Sequence, residues 1–455
     1  MNVLVWFRND LRVTDHPALA RADGPALPLV IVDPAEWADP ARSGRQWAFR
    51  AECLQDLREA LAALGAPLAL RVGDPLTVLE TLCRLHRIGR ILCIEDPACH
   101  ALDRRAQAWA AAAGVEFTAL APGPGAPATL TPLPGVEPGP IPPARALRIA
   151  EDRCPHRQPG GRMQGRLLLQ SFLERRGEHY RDGRDRPLGA ERICSRLSPH
   201  LATGTLSRVE VRAAVTARME EAGPDWTRSL GAFRAALAQA DVARGAVCPP
   251  AAPEGAAPPE DIFARMKDGI ASGAARREAL RLGETGLPFV DAAARALSAT
   301  GWLPARLRGL LVSAAMHHLR LCERTAGVVI AAGLTDHAPA VHWARVRRAA
   351  RARPVDPLGL AAALDPEGAF TRRWLPELAD VPDLFLQAPW RWEGARQLLG
   401  RRYPEPLVDP ATAIREARRR LVLSMPDRLE PSDMRAVRGT RGRRGTDPGQ
   451  LYLDL

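Results

Sequence analysis

The sequence has almost no lysine: Lys267 is the only one among 455 residues, so the positive charge comes from arginine. The formal net charge of +11 favours a polyanionic partner such as nucleic acid or an acidic membrane surface. The chain is also rich in alanine, arginine, proline and glycine, and genome base composition explains the charge equally well. Charge alone therefore leaves the partner open. With 46% hydrophobic residues and this length, the chain is expected to be globular and to form two or three domains.

Metal-binding and membrane-targeting patterns are also lacking. Eight cysteines are scattered without a Cys-x-x-Cys pair or a Cys/His cluster at zinc spacing, which favours a reduced, cytoplasmic protein without a metal. His317 and His318 are adjacent but have no acid or cysteine at ligand spacing, so a structural role is favoured over metal binding. The first apolar run, Val3–Phe7, is too short to span a membrane and is followed at once by charged residues. We therefore expect neither secretion nor a membrane partner.

Residues 1–120 alternate short apolar runs with helical patterns. The runs are NVLVWF, PALPLVIVD, PLALRVG, RILCIED and VEFTAL, and stretches such as RQWAFRAECLQDLREALAALG lie between the later ones. This alternation predicts βαβ units and a parallel, Rossmann-like sheet. No G-x-G-x-x-G follows the first strand, so the usual dinucleotide fingerprint is absent. Ligands of such sheets bind beyond the carboxyl ends of the strands, which here points to Arg8, Asn9, Asp10 and Glu95.

The rest of the chain predicts a different architecture. Residues 121–160 are rich in proline and glycine and indicate a linker. Residues 161–425 show helical periodicity with few strand signals, which predicts an all-α domain, interrupted by a proline-rich loop at 246–261. Residues 426–455 are basic and indicate a flexible tail. The predicted fold is therefore an α/β domain followed by an all-α domain.

Four ordered stretches resemble the photolyase/cryptochrome family. They are VLVWFRNDLRVTDHPAL, SRLSPHLATGTLS, TGLPFVDAAARALSATGWLPARLR and DPEGAFTRRWLPELADVP, followed by APW at 388–390. The resemblance covers nearly the whole chain and implies an antenna-type α/β domain and a helical domain that binds FAD. It also implies DNA as partner and light-driven electron transfer from reduced flavin to a flipped pyrimidine dimer, or, in cryptochromes, a light-induced signalling state. The motifs do not specify the antenna chromophore.

The resemblance assigns cofactor-binding residues along the helical domain. Ser195, Leu197 and Ser198 match the family's phosphate-binding turn, which precedes a helix N-terminus that would favour an anion, and Tyr180 stands at about the place of a flavin-contacting tyrosine. For each residue alone, a helix cap or surface hydroxyl is the simpler interpretation.

Trp302, Arg306 and Arg308 also match the family pattern, and Asp336 matches an acid of the site. Trp302 and Arg308 are expected to pack on and hold the cofactor, against the simpler interpretation of a core aromatic and a surface charge. Ala305 replaces the usual asparagine.

Departures from the family concentrate where the substrate and the flavin ring are expected. Gln239 and Ala240 stand where the family commonly has a tryptophan and an arginine. The stretch LTDHAPAVHW is shorter than the family's and contains no asparagine, although its Trp343 is a candidate electron relay. Three lost polar contacts at roughly 1 kcal/mol each would weaken FAD binding about a hundredfold, which a normally tight cofactor survives.

We therefore predict an FAD site whose affinity is weakened or lost, and weak or lost repair activity as a deoxyribodipyrimidine photo-lyase. The alternatives are a family member eroded to a photosensor or DNA-associated binding protein, and a scaffold without cofactor.

The extreme C-terminus resembles a docking peptide. Gln450–Leu455 reads QLYLDL, similar to short peptides by which bacterial DNA-maintenance proteins bind the sliding clamp. A six-residue match also arises easily by chance. The sequence thus predicts damaged DNA and, through this peptide, a sliding clamp as partners of a monomer.

Overall fold

The computed structural model describes residues 1–125, 129–245 and 273–423. The predicted proline-rich loop at 246–261 and the predicted tail at 426–455, with Gln450–Leu455, lie outside the described residues. In the described part of the chain, no helix combines the length and the apolar character needed to cross a membrane.

The N-terminal part contains the predicted parallel sheet. Its strands are β1 Asn2–Phe7, β2 Pro25–Val32, β3 Ala69–Val72, β4 Ile88–Ile94, β5 Glu116–Leu120 and the short β6 Thr131–Pro132. The order is β3-β2-β1-β4-β5, with β6 beside β2, and every pairing is parallel. Valine, isoleucine and leucine dominate these strands because both faces of such a sheet are covered. The predicted strands and their parallel arrangement are confirmed.

Helices cover both faces of this sheet. They are α1 Pro17–Ala20, α2 Pro34–Trp37, α3 Gly44–Ala63, α4 Pro75–His86 and α5 His100–Ala113. Successive side chains of a strand point to opposite faces, so Val3, Val5 and Phe7 of β1 join the core under α3. Leu4 and Trp6 join the core under α4 and α5.

The C-terminal part is helical, as predicted. Its helices are α6 Arg162–Ser171, α7 Tyr180–Gly183, α8 Ala190–Ile193, α9 Ser198–Thr203, α10 Arg208–Glu221, α11 Pro224–Gly245, α12 Gly273–Leu282, α13 Pro288–Thr300, α14 Ala305–Ser313, α15 Glu323–Gly333, α16 Pro339–Arg351, α17 Pro357–Leu364, α18 Ala369–Trp374, α19 Ala395–Leu398 and α20 Pro410–Leu423. Proline at the first turn and glycine after the last fix the ends of α13, where Gly301 adopts φ +68°. The apolar residues of α13, α14 and α15 form one core, and those of α9, α10 and α11 contribute to a second.

The loop after β1 joins the two parts. Leu11 N–H donates to the Thr203 carbonyl at 3.1 Å, and Arg12 donates to the Gly204 carbonyl at 3.2 Å. Gly204 has φ +73°, and a Cβ there would collide with the Asn9 carbonyl, so only glycine allows this approach. The contact places the end of α9 against the loop that follows the carboxyl end of β1.

The stretch that the sequence analysis interprets as a linker adds a further tie. Arg45 of α3 pairs with Asp152, with Nη2 and Oδ1 2.6 Å apart. The same guanidinium donates to the carbonyls of Leu297 and Gly333 at 3.1 and 3.0 Å. One buried arginine therefore connects the sheet region, residue 152 and the ends of α13 and α15.

Candidate functional site

A buried ion pair joins α14 to the segment between α15 and α16. Arg308 of α14 donates from Nη1 to Asp336 Oδ1 at 3.0 Å and from Nη2 to Asp336 Oδ2 at 2.8 Å. Its Nε donates to the Leu303 carbonyl at 2.8 Å, which fixes the plane of the guanidinium. Parallel charge-assisted bonds of this kind are among the stronger side-chain interactions. The structure thus brings together two residues that the sequence analysis placed in the site.

The Asp336 carboxylate is kept ionised by its neighbours. Burial raises its pKa, but the charge and hydrogen bonds of Arg308 and an interaction with the Ser198 hydroxyl outweigh this, so the pKa is lowered from its ordinary value. Ser198 begins α9, a helix of only six residues. One residue of the predicted turn and the predicted acid are therefore in contact.

The turn from Ser195 to Ser198 has a constrained backbone. Arg196 adopts φ +60°, a left-handed conformation that residues other than glycine seldom adopt. Arg176 holds the turn by donating to the Ser195 carbonyl at 3.3 Å, and the buried Leu197 anchors it in the core. The constrained backbone carries the Arg196 side chain to the ring of Trp302.

Trp302 is stacked against this arginine. The guanidinium carbon of Arg196 lies 4.4 Å from the centre of the ring, a cation–π contact. Gln158 holds Arg196 in place, accepting from its Nε at 3.1 Å and donating to its carbonyl at 3.0 Å. The ring also packs against the core formed by α9, α10 and α11. The Trp302 ring and the Arg196 guanidinium therefore lie side by side in the candidate site.

Tyr180 lies in an aromatic group at the start of α7. Its ring meets Phe172 at 5.7 Å and Phe233 at 5.4 Å between centroids, both edge to face. Burial raises the pKa of its hydroxyl to about 12, so the phenol stays protonated at neutral pH. Arg184 lies over the ring at 5.8 Å.

Helix α16 presents two different side chains to its two sides. Arg345 faces Arg308, Asp336 and Tyr180, close enough for their charges to act on it. Trp343 packs against α15, where a Cβ on Gly327 would collide with its ring. Helical residues two apart point in nearly opposite directions. The structure therefore places Trp343 away from the ion pair, and its role as electron relay stays a prediction.

We call Arg196, Arg308, Asp336 and Arg345 the arginine cluster. Three guanidiniums minus one carboxylate leave two positive charges. Desolvation lowers the pKa values of Arg196 and Arg345 to about 10, which still leaves both charged at neutral pH. An excess of desolvated cations favours an anionic ligand. The donor set therefore fits the diphosphate of a dinucleotide such as FAD.

Two members of the arginine cluster were missed by the sequence analysis. Arg196 stands inside the quoted motif SRLS, so attention to that motif could have found it. Arg345 begins the run RVRR, and nothing in the sequence distinguishes it from the arginines beside it.

The second half of α11 offers no aromatic platform. Residues 239–245 read QADVARG, and Gln239 and Ala240 are half-buried. The aromatic side chains of α11 lie earlier, where Phe233 packs on Tyr180 and Trp226 contacts Arg218 at 4.8 Å. No aromatic side chain of α11 is thus available at the position where the family resemblance expects one.

Of the two adjacent histidines, His318 is buried and His317 is half-buried. His317 and His318 belong to the π-helical turn Ala314–His318. Burial lowers the pKa of His318 to about 4, so its ring is neutral. Within the described ranges, no group of three or more histidine, cysteine, aspartate or glutamate side chains is placed to hold a metal ion.

The polar residues at the carboxyl edge of the sheet bond to one another. Arg8 pairs with Asp103, and Asn9 Nδ2 donates to Asp96 Oδ2 at 2.9 Å. Glu95 is exposed. Arg8, Asn9 and Asp10, which the sequence analysis pointed to for a ligand at this edge, are thus bonded to other protein side chains.

Comparison with known proteins matches both parts of the chain. A family model described as DNA photolyase matches residues 3–121, and one described as FAD binding domain of DNA photolyase matches residues 257–422. A deoxyribodipyrimidine photo-lyase from Thermus thermophilus is 30% identical, over 82% of this chain and 92% of its own length. A cryptochrome DASH from Natronomonas pharaonis is 29% identical, over 89% of this chain and 98% of its own length.

A solved structure shares the fold. A Synechocystis cryptochrome superposes with a TM-score of 0.79 at 22% identity, over 92% of this chain and 98% of that one. Sheet region and helical region are thus matched together in one known protein.

Proposed function

Since the chain belongs to the photolyase/cryptochrome family, we propose that it carries out light-driven, FAD-dependent repair of pyrimidine dimers in DNA, at a reduced rate. FAD, the cofactor of the family, is the cofactor of this flavoprotein and supplies the light absorption and the electron transfer. The DNA partner follows from the family. The chain's own residues bind the cofactor, exclude water from it and position the damaged base.

The observation that carries the proposal is the excess positive charge of the arginine cluster, which fits an anionic cofactor. We propose that the cofactor-binding residues are Tyr180, Ser195, Leu197, Ser198, Trp302, Arg308 and Asp336. Arg308 and Asp336 orient each other by two hydrogen bonds, at 3.0 and 2.8 Å. Such mutual orientation holds the donors in place before a ligand arrives.

The reduced rate follows from α11. A flipped base is held by stacking, which is worth about 1–3 kcal/mol per base. Gln239 and Ala240 cannot stack in this way. We therefore expect repair about ten- to a hundredfold slower than in a protein with an aromatic platform, because alignment for electron transfer is lost as well.

The first test is the flavin content of the purified protein and its repair of an oligonucleotide with one cyclobutane pyrimidine dimer under blue light. We expect near-stoichiometric FAD and slow repair that stops in the dark. FAD without any repair would favour the eroded photosensor or DNA-associated binding protein. No FAD after incubation with excess cofactor would contradict the proposal and leave a scaffold.

For the other partners we propose a cytoplasmic monomer that reaches the replication machinery through its C-terminal peptide. A Gln-x-x-Leu-x-Leu pattern with apolar anchors supports docking of Gln450–Leu455 on a sliding clamp. Binding of the full chain to purified clamp should be lost on deleting these six residues, while gel filtration should give the mass of one chain. Equal binding by the deletion variant would contradict the docking peptide.

A further inference from the structure

Arg45 of α3 holds the ends of two helices of the helical region. Its Nη1 donates both to the Leu297 carbonyl, at 3.1 Å, and to the Gly333 carbonyl, at 3.0 Å. Because both oxygens are bonded to one nitrogen atom, they lie at most about 6 Å apart. Leu297 lies in the last turn of α13, and Gly333 is the last residue of α15. One side chain of the sheet region therefore fixes the carboxyl ends of α13 and α15 relative to each other.

The guanidinium of Arg45 is itself held in place. Its Nε and Nη2 donate to the Asp152 carboxylate at 2.9 and 2.6 Å, and the Arg45 backbone N–H donates to the same carboxylate at 2.8 Å. Parallel charge-assisted bonds fix the plane of a guanidinium, and only 6% of this side chain is exposed. The neighbouring Gln46 adds a further bond to α15, from its Nε2 to the Ala331 carbonyl at 2.9 Å. The two bonds from Nη1 are thus made by a fixed group.

The chain segments that follow these two helix ends carry the candidate site. Trp302 comes directly after Gly301, and Asp336 directly follows Thr335, so we call residues 301–302 and 335–336 the site segments. The Thr335 N–H donates to the Gly301 carbonyl at 2.8 Å. A Cβ on Gly301 would lie 2.1 Å from Thr335 Oγ1, so the site segments are in close contact. The positions of the Trp302 ring and the Asp336 carboxylate therefore depend on where α13 and α15 end.

We propose that Arg45 is a positioning residue for the candidate site, an inference that rests on the proposed function. It acts on Trp302 and Asp336 through the main chain of the site segments, and not by touching a ligand. The alternative is an arginine that only ties the sheet region to the helical region. Loss of such an arginine would lower the stability of the whole protein, but it would leave the local order of the site segments and the affinity for FAD unchanged.

The test uses a double variant, Arg45→Met with Asp152→Asn. Removing both partners avoids leaving an unpaired buried charge. The matched control is Arg58→Met on the same helix, because Arg58 also donates to a backbone carbonyl, that of Gly139 at 2.8 Å, which belongs to neither site segment. Hydrogen exchange of the full chain without flavin is followed by mass spectrometry in residues 297–303 and 331–337, and the dissociation constant for FAD is then measured.

In the double variant, we expect the backbone amides of Gly301 and Thr335 to exchange about ten- to a hundredfold faster, because the ends of both helices have lost their shared donor. Exchange in β1 and β2 should match the wild type. FAD should bind about tenfold more weakly. Arg58→Met should equal the wild type in both measurements.

Wild-type exchange at both site segments of the double variant would overturn the inference. Equally faster exchange in β1 and β2 would also overturn it, because the change would then be a general loss of stability. So would an unchanged FAD affinity alongside faster exchange at the site segments.

If the double variant does not fold, Arg45→Lys decides, because it keeps the charge beside Asp152 without the planar fork of the guanidinium. Wild-type exchange at both site segments of this variant would overturn the inference. A wild-type protein that binds no FAD would be a failure of the proposed function, and the exchange measurements would still decide whether Arg45 orders the site segments.

Discussion

The two sides of the helical region differ in how their polar residues are supported. On the side proposed to bind the cofactor, here called the cofactor side, Arg196, Arg308 and Asp336 each have a fixed partner, and Arg308 and Asp336 are buried. On the substrate side, the second half of α11 carries small and polar residues without aromatic neighbours of its own. The contrast indicates that constraints from folding and from cofactor binding act together on one side only. A site that shares its residues with the core resists change more than a site that does not.

The largest effect is expected from breaking the buried pair on the cofactor side. Asp336→Asn removes the counter-charge of Arg308 while keeping the shape of the side chain. Breaking a buried pair costs about 3–5 kcal/mol, because an uncompensated charge remains. We expect a loss of this size in the free energy of unfolding, measured with denaturant, and FAD affinity lowered at least tenfold.

The matched control is Asp383→Asn, in a surface pair with Arg372 whose acid side chain is 81% exposed. Surface pairs contribute about 0–1 kcal/mol to stability, so the free energy of unfolding of this variant should be close to that of the wild type. Similar losses in the free energy of unfolding for Asp336→Asn and Asp383→Asn would contradict a larger contribution of the buried pair than of the surface pair.

The second prediction concerns the titration of a histidine buried on α16. Burial lowers the pKa of His342 from 6.5 to about 4, and its ring lies 5.2 Å from that of His337, whose pKa is lowered as well. Between these two pH values the unfolded chain binds a proton that the folded chain does not, so stability is present above pH 6.5 and is lost as the pH falls towards 4. For His342 alone the loss is about 3 kcal/mol.

His342→Gln keeps a donor for the Gly327 carbonyl but cannot titrate. As the pH falls from 7 to 4, the free energy of unfolding should therefore decrease less steeply for this variant. The difference in slope corresponds to about one proton fewer taken up on unfolding. If the free energy of unfolding depends on pH identically in the variant and the wild type, protonation of His342 does not contribute to the loss of stability at low pH.

The contrast also explains how much could be predicted from the sequence. The parallel sheet was predictable because the apolar runs of β1, β2 and β4 are long and continuous, and the pairing of Arg308 with Asp336 agrees with their motif positions. Arg345 was not predictable, since its role depends on which side of α16 faces α14, and a run of arginines has no period that shows this. The contact between Trp343 and Gly327 depends on helix packing in the same way.

The third prediction rebuilds the substrate side. Gln239→Trp should provide a stacking surface where the family resemblance expects one, and raise the rate of dimer repair about tenfold, equivalent to about 1.4 kcal/mol. FAD affinity should not change, because the arginine cluster is untouched. Ala235→Trp, at an exposed position of the same helix, is the control for adding a tryptophan. An equal gain from both variants, measured by single-turnover repair under blue light, would contradict a specific platform at position 239.

The smallest effect is expected at the edge of the cofactor side, where Arg196 stacks on Trp302. Cation–π contacts contribute about 0.5–2 kcal/mol, so Arg196→Ala should lower the free energy of unfolding by about 1 kcal/mol and change the fluorescence of Trp302. Gln158→Ala removes the two hydrogen bonds that hold Arg196, at 3.1 and 3.0 Å, but leaves the cation in place. If Gln158 acts through the Arg196 side chain, the double variant should lose less stability than the sum of the two single variants, because Arg196→Ala already removes the Nε bond and leaves only the bond to the backbone carbonyl of residue 196. If the losses in the free energy of unfolding of the two single variants simply add in the double variant, Gln158 supports the fold independently of Arg196. Residues 121–160 would then not contribute to the cofactor side through this glutamine.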